Sequence, residues 1–218
     1  MNSLRIIARA GKTDRIKALS DGVFAIVMTL LVIELAVPEV PKLLAAEQLH
    51  QKLLEMWPKF AAYALSFIML GTLWSFHRIM IQHIRRVDER AVWVNILYLM
   101  FIALIPFSTA MLGEYTGFPT TAVVFYGANL FFIALVFNIL WWYVTRNKYL
   151  LNKDVSLVVI MQIKINIGAI TILYLVAIGL SFISPYIGIA IYILIILFGI
   201  VGQLASKTYR PGSEENKL

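Results

Sequence analysis

Six stretches of this chain, 16–37, 58–79, 91–112, 120–144, 155–181 and 186–206, each hold an apolar run of the roughly 20 residues that a helix needs to cross hydrocarbon. No soluble core of a chain this short hides that much apolar surface. Over 218 residues the sequence is 61% hydrophobic and only 14% charged, so lipid is the solvent it fits. The expectation is an all-α integral membrane protein with six transmembrane helices. It forms one domain over 1–218, with a short polar N-terminal segment (1–14) and a polar C-terminal tail (207–218). The first run follows a long polar segment and lacks a small-residue cleavage site, so it reads as a retained span and not a signal peptide.

The chain has no cysteine, which removes disulfides, thiolate metal sites and thiol nucleophiles together. Its net charge of +7 does not form the dense basic patch of a nucleic-acid binder, and no nucleic-acid partner is expected. The basic residues instead mark topology. If the spans cross in turn, one face receives Arg5, Arg9, Lys12, Arg15 and Lys17, then Arg78, Arg85, Arg86 and Arg90, then Arg146, Lys148 and Lys153, then Lys207, Arg210 and Lys217. The other face receives only Lys42, Lys52 and Lys59. The positive-inside rule then puts both termini in the cytoplasm.

Pro38 and Pro41 stop the first span. After them Leu43, Ala46, Leu49, Leu53 and Met56 recur at helical spacing among Glu47, Lys52 and Glu55, the pattern of a short interfacial helix. No span pair is duplicated along the chain, so symmetry would have to come from separate copies.

Enzyme signals are weak. The three histidines, His50, His77 and His83, form no metal-binding helical pair, and no metal is expected. There is no nucleophile elbow, no phosphate loop and no acidic pair within a span. Polar residues at depth are few: Thr29, Ser66, Thr72, Asn95, Ser108, Asn129, Asn138, Lys164 and Asn166. Asparagines in this setting ordinarily tie helices together. Lys164, the one basic residue well inside a run, lies within snorkelling range of the basic face.

The first span carries a narrow apolar face. At 100° per residue counted from Ile26, Leu30 lies at about +40°, Ile33 at about −20°, Val37 at about +20° and Thr29 at about −60°, while Asp21 is turned about 140° away. Such a stripe is ordinarily packing or lipid surface. Asp21 is a poor ion ligand from that position, and a carboxylate near the membrane needs partners such as Arg15 or His77. Arg15, Ser20, Asp21, Trp74, His77 and Asn95 are therefore expected to form a hydrogen-bonded network holding the first helix, with Val27 facing lipid.

The run from Arg15 through Ser20-Asp21 resembles the first-helix signature of the transmembrane protein 175 family, the lysosomal and bacterial potassium channels: Arg, three residues, then Phe-Ser-Asp, with Leu19 here in place of the phenylalanine. Leu73-Trp74 followed by His77 is similar to that family's second helix, and Asn95 with Pro106-Phe107 to its third. The resemblance implies a homotetramer in which four first helices surround a potassium-permeable pore. It also implies that Ile26, Leu30 and Ile33 line the path, that Ile26 forms a hydrophobic gate and that Thr29 adds a ring of hydroxyls. It implies no cofactor, and it points to a bacterial inner membrane as the location. No TVGYG filter is present, so selectivity would arise from a tight apolar constriction. Glu34, near the end of the run, is placed either to concentrate cations at the mouth or to pack. The rival reading is a secondary transporter or proton pathway using Asp21, His77 and Lys164.

Overall fold

The computed structural model describes the backbone of residues 2–41, 45–115, 117–147, 149–152 and 154–208, and side chains within 13–203. Apart from one isolated β-bridge, its regular structure is helical: α1 (Asn2–Leu30), closing in a 3₁₀ turn (Leu31–Glu34), α2 (Ala45–Glu55), α3 (Trp57–Gln82), α4 (Glu89–Ala103), α5 (Ile105–Glu114), α6 (Thr120–Arg146), α7 (Leu157–Ser181) and α8 (Pro185–Thr208). Among the described residues six stretches are long and apolar enough to span a membrane: Thr13–Glu34, Trp57–Gln82, Glu89–Glu114, Thr120–Arg146, Leu157–Ser181 and Pro185–Gln203. They are the six expected from hydropathy.

Two boundaries differ from expectation. Helix α1 begins at Asn2, inside the segment read as a polar lead. The third span is two helices, because Pro106 in the first turn of α5 has no N–H to return to the preceding turn and its ring crowds it. At the break Leu104 N–H closes onto Phe101 O at 3.2 Å, and just beyond it the Ser108 and Thr109 hydroxyls donate back to Ile105 O at 2.9 and 2.8 Å. The tail from 209 onward, and Leu43 of the expected interfacial helix, lie outside the described residues. That helix is α2, whose described side chains are exposed, with a Lys52–Glu55 ion pair of 3.0 Å.

Helix α6 is the hub. Tyr126, Leu130, Ile133, Phe137, Trp141 and Val144 are buried at helical spacing, and α4, α5, α7 and α8 all pack on it. Its contact with α8 depends on Gly127: a Cβ there would overlap the Tyr192 hydroxyl, which donates to Val123 O at 3.2 Å. Helix α1 lies at the edge, against α3 and α4.

The two ends of the bundle are built differently. At the basic end, Ile84 and Leu151 form the antiparallel bridge, Arg85 N–H donates to Leu150 O at 2.8 Å, and Asn152 N–H donates to His83 O at 3.0 Å. Asp88 caps α4 there, accepting from Ala91 N–H at 2.9 Å and from the Tyr143 and Tyr149 hydroxyls at 2.6 and 3.0 Å. Burial pushes the Asp88 carboxyl up, but the Tyr143, Ala91 and Tyr149 hydrogen bonds and the Arg90 charge outweigh it and hold the group below its ordinary value. At the opposite end Lys59 pairs with Glu114 at 2.7 Å, and the Trp57 and Phe118 rings meet edge to face at 5.5 Å.

Candidate functional site

Helix α1 has two apolar faces with opposite fates. Phe24, Val27 and Leu31, spaced by three and four residues, are buried among the other helices. Ile26, Leu30 and Ile33 are left 60%, 40% and 68% exposed. Val27, expected toward lipid, is only 2% exposed and belongs to the core. The helical wheel separates the two faces but cannot say which one a neighbour covers. Val37, expected to continue the stripe, lies beyond the helix, because the 3₁₀ turn Leu31–Glu34 ends it. That turn winds at about 120° per residue instead of 100°, leaving Val32 and Ile33 both exposed while Leu31 is buried. Thr29 is exposed beside Ile26, and its hydroxyl donates to Ile26 O at 2.7 Å. Glu34, also exposed, shares a small pocket with Lys59 and Glu114.

Below the stripe, toward the basic end, polar side chains hold α1 in place. Trp74 Nε1 donates to Asp21 Oδ1 at 2.9 Å, and the Arg78 guanidinium lies 5.1 Å from the Trp74 ring centroid. Asn95 bridges the other pair: its Nδ2 donates to Ser20 Oγ at 3.2 Å, and its Oδ1 lies 2.9 Å from His77 Nε2. Ser20, His77 and Asn95 are buried, so each needs these partners. Arg15 is exposed and makes no hydrogen bond or ion pair with the other five among the described residues; the basic group beside Trp74 is Arg78. Leu19, standing where the resembled signature has phenylalanine, is exposed.

An aromatic layer backs this anchor. Tyr98 stacks on His77 with centroids 5.3 Å apart and planes at 4°, Phe24 lies 5.9 Å from His77, and Phe137 lies 5.4 Å from Tyr98. Sequence reasoning passed over Phe24, Arg78, Tyr98 and Phe137. Two of them carried a signal: Tyr98 falls one turn after Asn95, and Phe24 one turn before Val27.

The remaining polar residues tie helices together. Thr109 donates to Ser66 at 2.7 Å, Ser66 to Tyr126 at 3.0 Å, Asn129 to Ser108 at 3.3 Å and Asn138 to Thr171 at 2.7 Å. Lys164 is exposed on α7, and among the described residues no hydrogen bond or ion pair joins it to Asp21 or His77. No group of three or more His, Asp or Glu side chains among the described residues is placed to hold a metal ion.

These features define a six-span helical membrane protein whose first span is anchored by polar groups on one side and bares an apolar stripe on the other. The family model described as "Endosomal/lysosomal potassium channel TMEM175" matches residues 15–106, the region that carries both. A potassium channel of Streptomyces collinus is 33% identical over 86% of this chain and 91% of its own length. A crystal structure described as that of a lysosomal potassium-selective channel TMEM175 homolog from Chamaesiphon minutus matches with a TM-score of 0.76 at 33% identity, covering 88% of this chain and 97% of that one. The endosomal/lysosomal proton channel TMEM175 of Bos taurus is 32% identical over 59% of this chain and 28% of its own length. The chain belongs to the TMEM175 family.

Proposed function

We propose that this protein is a potassium-permeable channel in which four copies surround one axis and the Ile26–Leu30–Ile33 stripe of each α1 lines the pore. The observation that carries this reading is the division of α1 itself: Val27 and Leu31 are buried within the subunit, while Ile26 and Ile33 stay bare beside Thr29. One subunit supplies one such stripe, so closing a pore takes a symmetric ring of copies.

Four Ile26 side chains form the narrowest point. Isoleucine has one strongly preferred rotamer in a helix, so the ring is stiff and apolar, and it dewets when narrow. Thr29 donates its hydrogen to Ile26 O, which leaves its oxygen lone pairs for a passing cation. The Ser20, Asp21, Trp74, His77 and Asn95 contacts position α1 and take no part in conduction. Residues 1–218 act as one six-helix channel domain. The basic end faces the cytoplasm, both termini with it, and the membrane is a bacterial inner membrane, in keeping with the bacterial relatives. The protein works as a channel and not as an enzyme.

Purified protein in a planar bilayer under opposed potassium and sodium gradients should pass discrete current steps that reverse toward the potassium potential. Saturable flux without steps would favour a transporter and sink the proposal. Native mass measurement showing only monomers would remove the four-copy pore. The name of the Bos taurus relative favours a second reading, proton conduction. A pH gradient applied in the same bilayer separates the two, since proton current persists when potassium is replaced by an impermeant cation.

A further inference from the structure

Behind the aromatic layer, helices α3, α4, α6, α7 and α8 line a partly open cavity of about 280 Å³. That is nearly twice the ~150 Å³ at which a dry apolar cavity already takes up benzene. Its deep wall is apolar and buried, including Met80, Ile133, Phe137, Ile167 and the ring of Tyr98. Its rim carries the amides of Gln162 and Asn166, one helical turn apart on α7 and both exposed. Among the described residues no charged side chain lines it. Gly202 of α8 also lines it, and a Cβ added there would meet nothing within 4 Å.

We propose that this cavity binds an uncharged, single-chain amphiphile, with its aliphatic chain against the deep wall and a hydroxyl-type head at Gln162 and Asn166, and that occupancy acts on α1. The chemistry of the lining selects this class. Apolar walls reward burial of methylene groups, and the amides pair with a neutral donor or acceptor. A carboxylate or phosphate would find no cation among the described lining residues to compensate its lost hydration. At roughly 30 Å³ for a group the size of a water, the space takes a chain of about nine or ten carbons. The route to α1 is short. A ligand against Tyr98 and Phe137 presses on rings that lie 5.3 and 6.4 Å from His77, and His77 reaches Ser20 of α1 through Asn95. The effect on conduction rests on the channel reading above, whereas binding does not.

The probe is a diazirine-bearing 1-decanol, photolysed with purified protein in lipid nanodiscs and mapped by peptide mass spectrometry. Label is expected on cavity-wall residues such as Ile167 and Phe137. It should be displaced by excess 1-decanol, more weakly by 1-hexanol, and not by decanoate at neutral pH. Gly202→Leu, which fills the space, should lower labelling by about tenfold or more, since several methylenes lose their burial. If that variant fails to fold, Asn166→Ala, at the exposed rim, should lower labelling by the alcohol but not by an equivalent diazirine alkane. Label spread over outward-facing residues such as Ile172 and Val176 alone, or undiminished in both variants, would overturn the site. In bilayers 1-decanol should shift open probability in the parent but not in Gly202→Leu. Cavity labelling with an unchanged open probability would overturn the coupling to α1. A protein that conducts nothing still reports binding by its label, so the two readings fail separately.

Discussion

Trp74 donates its indole N–H to the Asp21 carboxylate at 2.9 Å and carries the Arg78 guanidinium 5.1 Å from its ring centroid, so one side chain links an acid on α1 to a base on α3. Trp74→Phe keeps an aromatic face for Arg78 but removes the donor. A hydrogen bond to a charged group is worth about 1.5–3 kcal/mol, and a loss of that order should appear as a lower melting temperature in detergent. Asp21→Asn keeps an acceptor oxygen and loses the charge. It should lower assembly or open probability while the reversal potential stays put; normal gating with altered selectivity would contradict the anchoring role.

Ile26 and Val27 are neighbours in sequence that make opposite predictions. Ile26→Ala removes bulk from an exposed face, so subunit stability should hardly change while basal current rises and potassium preference weakens. Val27→Ala empties buried space, costing about 1–3 kcal/mol, and should act through stability. Thiol reagents give an independent reading, because the chain has no native cysteine. A cysteine at Ile26 should react in the open channel and one at Val27 should not. The reverse pattern would reassign the pore face.

Thr29→Val preserves shape and removes the bond to Ile26 O together with the free lone pairs. In a four-copy ring that deletes four oxygens, and potassium over sodium preference should fall. An unchanged reversal potential in mixed ions would take Thr29 out of the filter.

The Asp88 carboxyl is held below its ordinary value, so the stability it contributes is fully present above about pH 3.8, its unperturbed value, and is lost as pH falls through the lower folded-state value. Asp88→Asn keeps a side-chain oxygen to cap α4 but no longer offers a carboxylate to Tyr143 and Tyr149. Its melting temperature should lie below that of the parent at pH 6, and the gap should close on acidification below pH 3.8. A gap that stays constant would show that the carboxylate charge contributes nothing.

Hydropathy alone was enough for six spans, because twenty apolar residues in a row have few other fates. It could not place the break at Leu104, since Leu104 and Ile105 are as apolar as their neighbours and the cause is the missing N–H of Pro106. Periodicity found the Ile26–Leu30 face of α1, yet Phe24, Val27 and Leu31 repeat just as well on another face, and only packing decides which is covered. Val37 fell outside because a 100° wheel continues for ever, whereas the chain changes pitch after Leu30. Within the anchor, Asp21 called for a partner; Arg15, six residues earlier on α1, lies about 120° around the helix, and the donor is Trp74, fifty-three residues on, which only tertiary packing brings near. The partners of Ser66 and Asn129 were illegible for the same reason: they come from other helices.

The bridge between Ile84 and Leu151 joins points sixty-seven positions apart. A ribosome adding roughly 5–20 residues per second needs several seconds to make that stretch. Throughout that interval Arg85 N–H and His83 O lack the partners, Leu150 O and Asn152 N–H, that they bond in the folded chain. The clasp is therefore a late event in biogenesis, closing only after four spans have left the ribosome, and until then the end of α3 has no tie at this point to the connection that leads into α7.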